Sequence, residues 1–129
     1  MSETSPARYV LQQELGRGVA TTVYKAWDPG RERPVAIKVL KKDLQEIPRL
    51  RKRFLNEARV MARLDHPHVL SIYDARVSGD GRLLIVMEYA PRGSVRDAMI
   101  AGTQLGTSEV CRIGEEVASA LSYAHGNGV

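Results

Sequence analysis

Residues 9–15, Tyr-Val-Leu-Gln-Gln-Glu-Leu, mix apolar and polar positions as a strand with one partly polar face does. Gly16 and Gly18 interrupt the run. Residues 19–27, Val-Ala-Thr-Thr-Val-Tyr-Lys-Ala-Trp, are rich in β-branched and aromatic side chains and predict a second strand. Asp28-Pro29-Gly30 is a turn signal, and residues 34–40, Pro-Val-Ala-Ile-Lys-Val-Leu, predict a third strand, apolar except for one lysine. Short turns between three strands imply an antiparallel meander. The spacing then becomes helical over 43–64, where Leu50, Phe54, Met61 and Leu64 share one face. Pro48 marks a helix start or a break between two helices, and Asp65-His66-Pro67-His68 ends the segment. Two further strands follow at 69–77 and 83–89, with Ser78-Gly79-Asp80-Gly81 as their hairpin turn.

After Pro91-Arg92-Gly93, Ser94 is placed to cap a short helix reaching Ile100. A longer helix runs from Thr107 to about His125, capped by Thr107 or Ser108. Its apolar stripe is Val110, Ile113, Val117, Leu121 and Ala124, and Gly126-Asn127-Gly128 ends it. The pattern predicts an α+β fold: a five-stranded antiparallel sheet with one long helix, then two more helices.

Composition adds boundaries. The chain has 129 residues, 43% hydrophobic and 26% charged, which is ordinary for a globular protein. It holds no apolar run of about eighteen residues or more, so no membrane-spanning helix is expected. Met1 to Arg8 carries no secretory or transit pattern, and a cytoplasmic location is the expectation. The single cysteine, Cys111, has no intrachain disulfide partner and reads as a small packing residue. The net charge of +4 is densest at Arg49, Arg51, Lys52 and Arg53, which read as a solvated helix face. No base-stacking aromatics interleave with them, so no nucleic-acid partner is expected.

Three residue signals suggest chemistry. Gly16-Arg17-Gly18 lies between two strands, where glycines permit positive φ and close approach to a ligand. Backbone N–H groups in such a turn can cradle phosphate oxygens, although a plain hairpin would read the same. A dinucleotide-binding fold would need a helix next, and a phosphate loop of the Walker type would need Gly-Lys-Ser/Thr; neither follows. Lys38 is the one charge between Val35 and Leu40; it is paired inside the sheet, or it reaches solvent. Glu57 falls three residues after Phe54 and four before Met61, within the apolar stripe, where a carboxylate wants a cation; the alternative is a stripe-edge glutamate reaching water. Together they suggest a Lys38–Glu57 ion pair whose lysine also meets a phosphate.

The residues at this point resemble the protein kinase family, of the bacterial serine/threonine type. Leu-Gly-Arg-Gly-Val-Ala-Thr-Thr-Val-Tyr-Lys-Ala at 15–26 resembles its Gly-rich loop, and Val-Ala-Ile-Lys stands complete at 35–38. Phe-Leu-Asn-Glu-Ala-Arg at 54–59 resembles the helix that carries the family's glutamate. His-Pro-His-Val-Leu at 66–70 resembles the turn after it, and Ile-Val-Met-Glu-Tyr-Ala at 85–90 the hinge strand. Gly-Ser-Val at 93–95 and Leu-Ser-Tyr-Ala-His-Gly-Asn-Gly-Val at 121–129 resemble the segments leading toward the catalytic loop. The resemblance runs from 9 to 129. Thr21 stands where the family's third glycine would be.

The resemblance implies a protein-kinase-like N-lobe at 9–90, after a tail at 1–8, and the opening helices of an incomplete C-lobe at 91–129. It implies ATP as cofactor, with Mg2+ expected only in the complete domain. Lys38 would hold the α- and β-phosphates, and Glu57 would fix Lys38. Leu15, Gly16 and Gly18 would lie over the nucleotide, with Val23 and Ala36 against the adenine. Met87 would be the gatekeeper, the backbones of Glu88 and Ala90 would meet the adenine edge, and Ser94 would face the ribose. Met61 and Ile72 match the N-lobe part of the hydrophobic spine. The sequence contains no His-Arg-Asp or Asp-Phe-Gly, so this chain alone is expected to be inactive, as a fragment of a kinase acting on protein substrates. The alternative is a stand-alone pseudokinase-like binding or dimerisation module. In either case the uncovered helix 107–125 is expected to favour self-association or docking.

Overall fold

The β-branched and aromatic runs all become strands. The computed structural model describes residues 9–129, so the tail expected at 1–8 lies outside the described residues. In chain order the elements are β1 (Val10–Arg17), β2 (Thr21–Asp28), β3 (Arg33–Leu40), α1 (Pro48–Ala62), β4 (Ile72–Val77), β5 (Leu83–Glu88), α2 (Val95–Ile100) and α3 (Thr107–Gly126). The helical segment expected over 43–64 is divided. A short 3-10 turn covers Lys42–Leu44, and Pro48 opens α1 at a position where its missing N–H costs nothing.

Contacts divide the chain into two units. The first runs to Arg63 and resumes at Ser71–Tyr89; the second comprises Leu64–Leu70 and Ala90–Val129. The first unit holds a five-stranded sheet in the order β1-β2-β3-β5-β4, with every neighbouring pair antiparallel. The meander is thus β1-β2-β3, and β5 inserts between β3 and β4.

Register decides the faces. Val23 lies opposite Lys38, and Lys38 opposite Ile85; Lys25 lies opposite Ala36, and Ala36 opposite Met87. Directly opposed residues share a face, so these six side chains belong to one side of the sheet. On that side Leu40, Leu83 and Ile85 pack with Phe54 and Ala58 of α1. Ala58 is a core position that the larger apolar residues of the stripe overshadow in the sequence. The other side gathers Tyr9, Ala26, Val35, Ile37, Val39, Leu84 and Val86.

One polar side chain ties the segment before α1 to the sheet. Gln45 is buried; its Nε2 donates to the Leu40 carbonyl at 2.6 Å, and its Oε1 accepts the Leu83 N–H at 3.1 Å. Arg51 Nη1 also donates to Gln45 Oε1, at 3.1 Å, and to the Gln45 carbonyl, at 3.2 Å. Arg51 is therefore partly a structural member of the basic cluster rather than wholly a solvated one. At the β4–β5 turn Gly81 has φ +86°, and its N–H donates to the Ser78 carbonyl at 2.9 Å.

In the second unit Ser94 caps α2 as expected, in a reciprocal arrangement with Asp97. The cap of α3 differs from expectation. Gly106 is the N-cap, with no side-chain hydrogen bond, because Thr107 already lies within the helix. The turn before β4 is held to α3 by the Asp65 N–H donating to Tyr123 Oη at 3.0 Å and by a 3.0 Å bond between His66 Nε2 and Ser119 Oγ. Leu64 and Ala124 are buried, whereas Val110, Val117 and Leu121 are each about half exposed. Cys111 is exposed, not a packing residue, because it falls beside the stripe rather than in it.

Candidate functional site

The glycine-rich hairpin joins β1 to β2. Gly16 pairs with Val23 and Arg17 with Thr22, and the Gly18 N–H donates to the Thr21 carbonyl at 2.8 Å to close the tip. The expected use of positive φ is not found at Gly16 or Gly18. A Cβ on Gly16 would meet nothing within 4 Å, so its hydrogen leaves open space beside the strand. Leu15 sits at the irregularity in β1 just before Gly16 and is exposed, and Val19 at the tip is almost fully exposed.

Lys38 is the one half-buried residue in the run Val35 to Leu40, whose other members are buried. Its Nζ lies 3.7 Å from Glu57 Oε1. The side chains are 29% and 56% exposed, respectively, so the pair is not the desolvated one that the sequence suggests. The reason lies in the helix. The buried face of α1 centres on Phe54 and Ala58, and Glu57, one residue before Ala58, sits at the edge of that face. An ion pair this exposed contributes about 0–1 kcal/mol to stability. The pair borders a cleft of about 270 Å3, lined by Ala20 and Thr21 from the hairpin, Lys38 and Leu40 from β3, and Leu50, Arg53, Phe54 and Glu57 from α1. In the sequence Arg53 is marked only as part of a basic cluster on a solvated helix face. Its spacing of four residues from Glu57 was the signal that could have singled it out.

Along the same face of the sheet, Val23 and Met87 are half-buried and Ala36 is buried. They form an apolar strip continuous with the Lys38 row. Lys25, in register with Ala36, holds its Nζ 5.0 Å from the centroid of the Tyr89 ring. Glu88 ends β5; its N–H donates to the Ser71 carbonyl at 2.9 Å, and its Oε2 accepts the Ser71 N–H at 3.2 Å. Register thus brings Gly16, Val23, Ala36, Lys38 and Met87 to one face, with Glu57 reaching Lys38 from α1. Ala90 and Ser94 belong to the second unit. Ala90 is exposed and its carbonyl accepts the Gly93 N–H at 3.3 Å. Ser94 Oγ accepts the Asp97 N–H at 3.0 Å.

The face is apolar toward Val23, Ala36 and Met87 and carries the Lys38 cation beside them. Glu57 is engaged by Lys38, and the described residues contain no cluster of three or more His, Cys, Asp or Glu side chains able to hold a metal ion. No helix among the described residues is long and apolar enough to cross a membrane.

Comparison with known proteins agrees with this arrangement. The family model for the protein kinase domain matches residues 9–129. The serine/threonine-protein kinase PknJ of Mycobacterium tuberculosis is 42% identical over 123 residues, covering 95% of this chain and 20% of that protein. The serine/threonine-protein kinase PkaB of Streptomyces coelicolor is 36% identical over 129 residues, covering 100% of this chain and 30% of that protein. Among solved structures, the crystal structure of the Mycobacterium tuberculosis PknI kinase domain superposes with a TM-score of 0.78 at 34% identity, covering 100% of this chain and 52% of that one. The chain thus spans about a fifth to a third of these two relatives and about half of a solved kinase domain. With the sheet, its order and the paired lysine and glutamate in place, the chain belongs to the protein kinase domain family.

Proposed function

We propose that this chain is the ATP-holding part of a serine/threonine protein kinase. The observation that carries the reading is the Lys38–Glu57 pair at 3.7 Å, in the cleft beneath a glycine-rich hairpin and in line with the apolar strip of Val23, Ala36 and Met87. Lys38 is assigned to the α- and β-phosphates and Glu57 to holding Lys38. Leu15, Gly16 and Gly18 cover the nucleotide, Val23 and Ala36 contact the adenine, and Met87 limits the depth of the pocket. Glu88 and Ala90 are assigned to the adenine edge through their backbones, and Ser94 is assigned to the ribose. In this reading residues 9–90 form the N-lobe and 91–129 the hinge exit and first helices of the C-lobe.

Phosphoryl transfer to protein hydroxyls belongs to the complete domain. Within these 129 residues there is neither His-Arg-Asp nor Asp-Phe-Gly, so the chain by itself is assigned binding without chemistry. Titrating the chain with a non-hydrolysable ATP analogue, with calorimetry as readout, tests this. Wild-type protein is expected to bind, and Lys38→Met to lose at least tenfold in affinity with its denaturation midpoint little changed, because the ion pair is solvent-exposed. Equal binding by both proteins overturns the assignment.

A second reading rests on the half-exposed Val110, Val117 and Leu121 of α3. In it the chain also self-associates through that helix, as a docking module would. Sedimentation velocity across a hundredfold concentration range is expected to show a concentration-dependent species that Leu121→Glu removes. A single monomeric boundary throughout excludes it.

A further inference from the structure

Glu57 is paired with one cation, and a second stands one helical turn earlier on its own helix. Lys38 approaches it from β3 at 3.7 Å, near the outer limit of an ion pair, and the Glu57 side chain remains more than half exposed. Arg53 lies four residues earlier on α1 and lines the same cleft. Residues at that spacing are neighbours on a helix surface, their Cβ atoms about 5–6 Å apart. The Arg53 side chain makes no ion pair or hydrogen bond among the described residues. A planar guanidinium can engage a carboxylate through two parallel N–H donors, whereas an ammonium acts as a point charge.

We propose that Arg53 is a positioning residue that competes with Lys38 for Glu57. When the Glu57 carboxylate turns to its own helix, Lys38 loses the partner that orients it. When it turns to β3, Lys38 is held in the cleft. Arg53 thereby sets how often the cleft is ready for phosphate. This rests on the assignment of Lys38 to the nucleotide phosphates, and it makes a prediction opposite in sign to simple electrostatics. Removing a cation from the mouth of an anion site should weaken binding by Coulomb's law. Removing a competitor should strengthen it.

The test uses the whole chain with Arg53→Gln, since glutamine has nearly the helix propensity of arginine. Affinity for the same non-hydrolysable ATP analogue is expected to tighten by about twofold, the scale of an exposed helical pair. Arg53→Lys should fall between glutamine and wild type. In a Glu57→Gln background, Arg53→Gln should no longer tighten binding, because there is no carboxylate to compete for. A second readout needs no nucleotide. The side-chain carboxyl carbon of Glu57 and the ε-carbon of Lys38, followed by NMR in the free chain, are expected to shift together in Arg53→Gln. Weaker or unchanged nucleotide binding in Arg53→Gln overturns the competition, as do unmoved Glu57 and Lys38 resonances. If the resonances shift but no nucleotide binds to any variant, the competition stands and the nucleotide assignment falls.

Discussion

Gln45 shows how a single polar residue can be structural. Its amide accepts the Leu83 N–H at the start of β5, donates to the Leu40 carbonyl at the end of β3 and receives Arg51 from α1. Gln45→Ala would leave a buried backbone donor and a buried acceptor without partners, at about 1–3 kcal/mol each. Urea denaturation should show a loss of at least about 1 kcal/mol, and a midpoint within error of wild type would disprove the role. Nothing in the sequence marks Gln45, because its importance comes from two strands far from it in the chain. Lys38 is the opposite case: one charge in an apolar run announces itself. The exposure of Glu57 was less legible, because a face read from Leu50, Phe54 and Met61 is broader than the face that Phe54 and Ala58 bury.

Among the elements, α2 depends most on its ends. It has six residues, none of them buried, and isolated helices this short do not persist in water. The capping box holds its start. The Ser94 N–H donates to Asp97 Oδ2 at 2.9 Å, and Ser94 Oγ accepts the Asp97 N–H in return. Hydrogen bonding to the carboxyl, from the Ser94 backbone first and its side chain second, holds Asp97 below the usual aspartate range. A depressed folded-state value means that the cap's contribution is complete above the unfolded value, about 3.9, and is lost as pH falls through the folded one. Amide exchange in Val95–Ile100 should accelerate on acidification below about pH 3.9, and Asp97→Asn should remove that response. An exchange rate that tracks only the intrinsic pH dependence would count against the capping account. The boundaries of α2 were readable because Ser94 and Asp97 are cap-forming types at cap spacing. The cap of α3 was misplaced because Thr107 is also such a type, and only the backbone shows that the helix has already begun there.

Over the whole molecule, burial is unevenly distributed. Val35, Ile37, Leu83, Leu84 and Val86 are essentially inaccessible, all on β3 and β5, whereas the second unit buries only Leu64 and Ala124 among its apolar residues. Protection from hydrogen exchange follows buried apolar contact. The amides of β3 and β5 should therefore exchange slowest, and those of α2 and α3 well before them. Uniform protection along the chain would contradict this. The sheet order has a consequence for how the protein is made. The meander β1-β2-β3 closes over short turns, but the seam between β3 and β5 spans everything from the 3-10 turn through β4. Contacts between segments that distant in sequence are slow to form, because a long loop must close before any pairing rewards it. The Val23–Lys38–Ile85 and Lys25–Ala36–Met87 rows both cross that seam. The face that carries Lys38 is thus completed late on the folding path, and a nascent chain that has released only the meander from the ribosome displays the glycine-rich hairpin with nothing yet built beneath it.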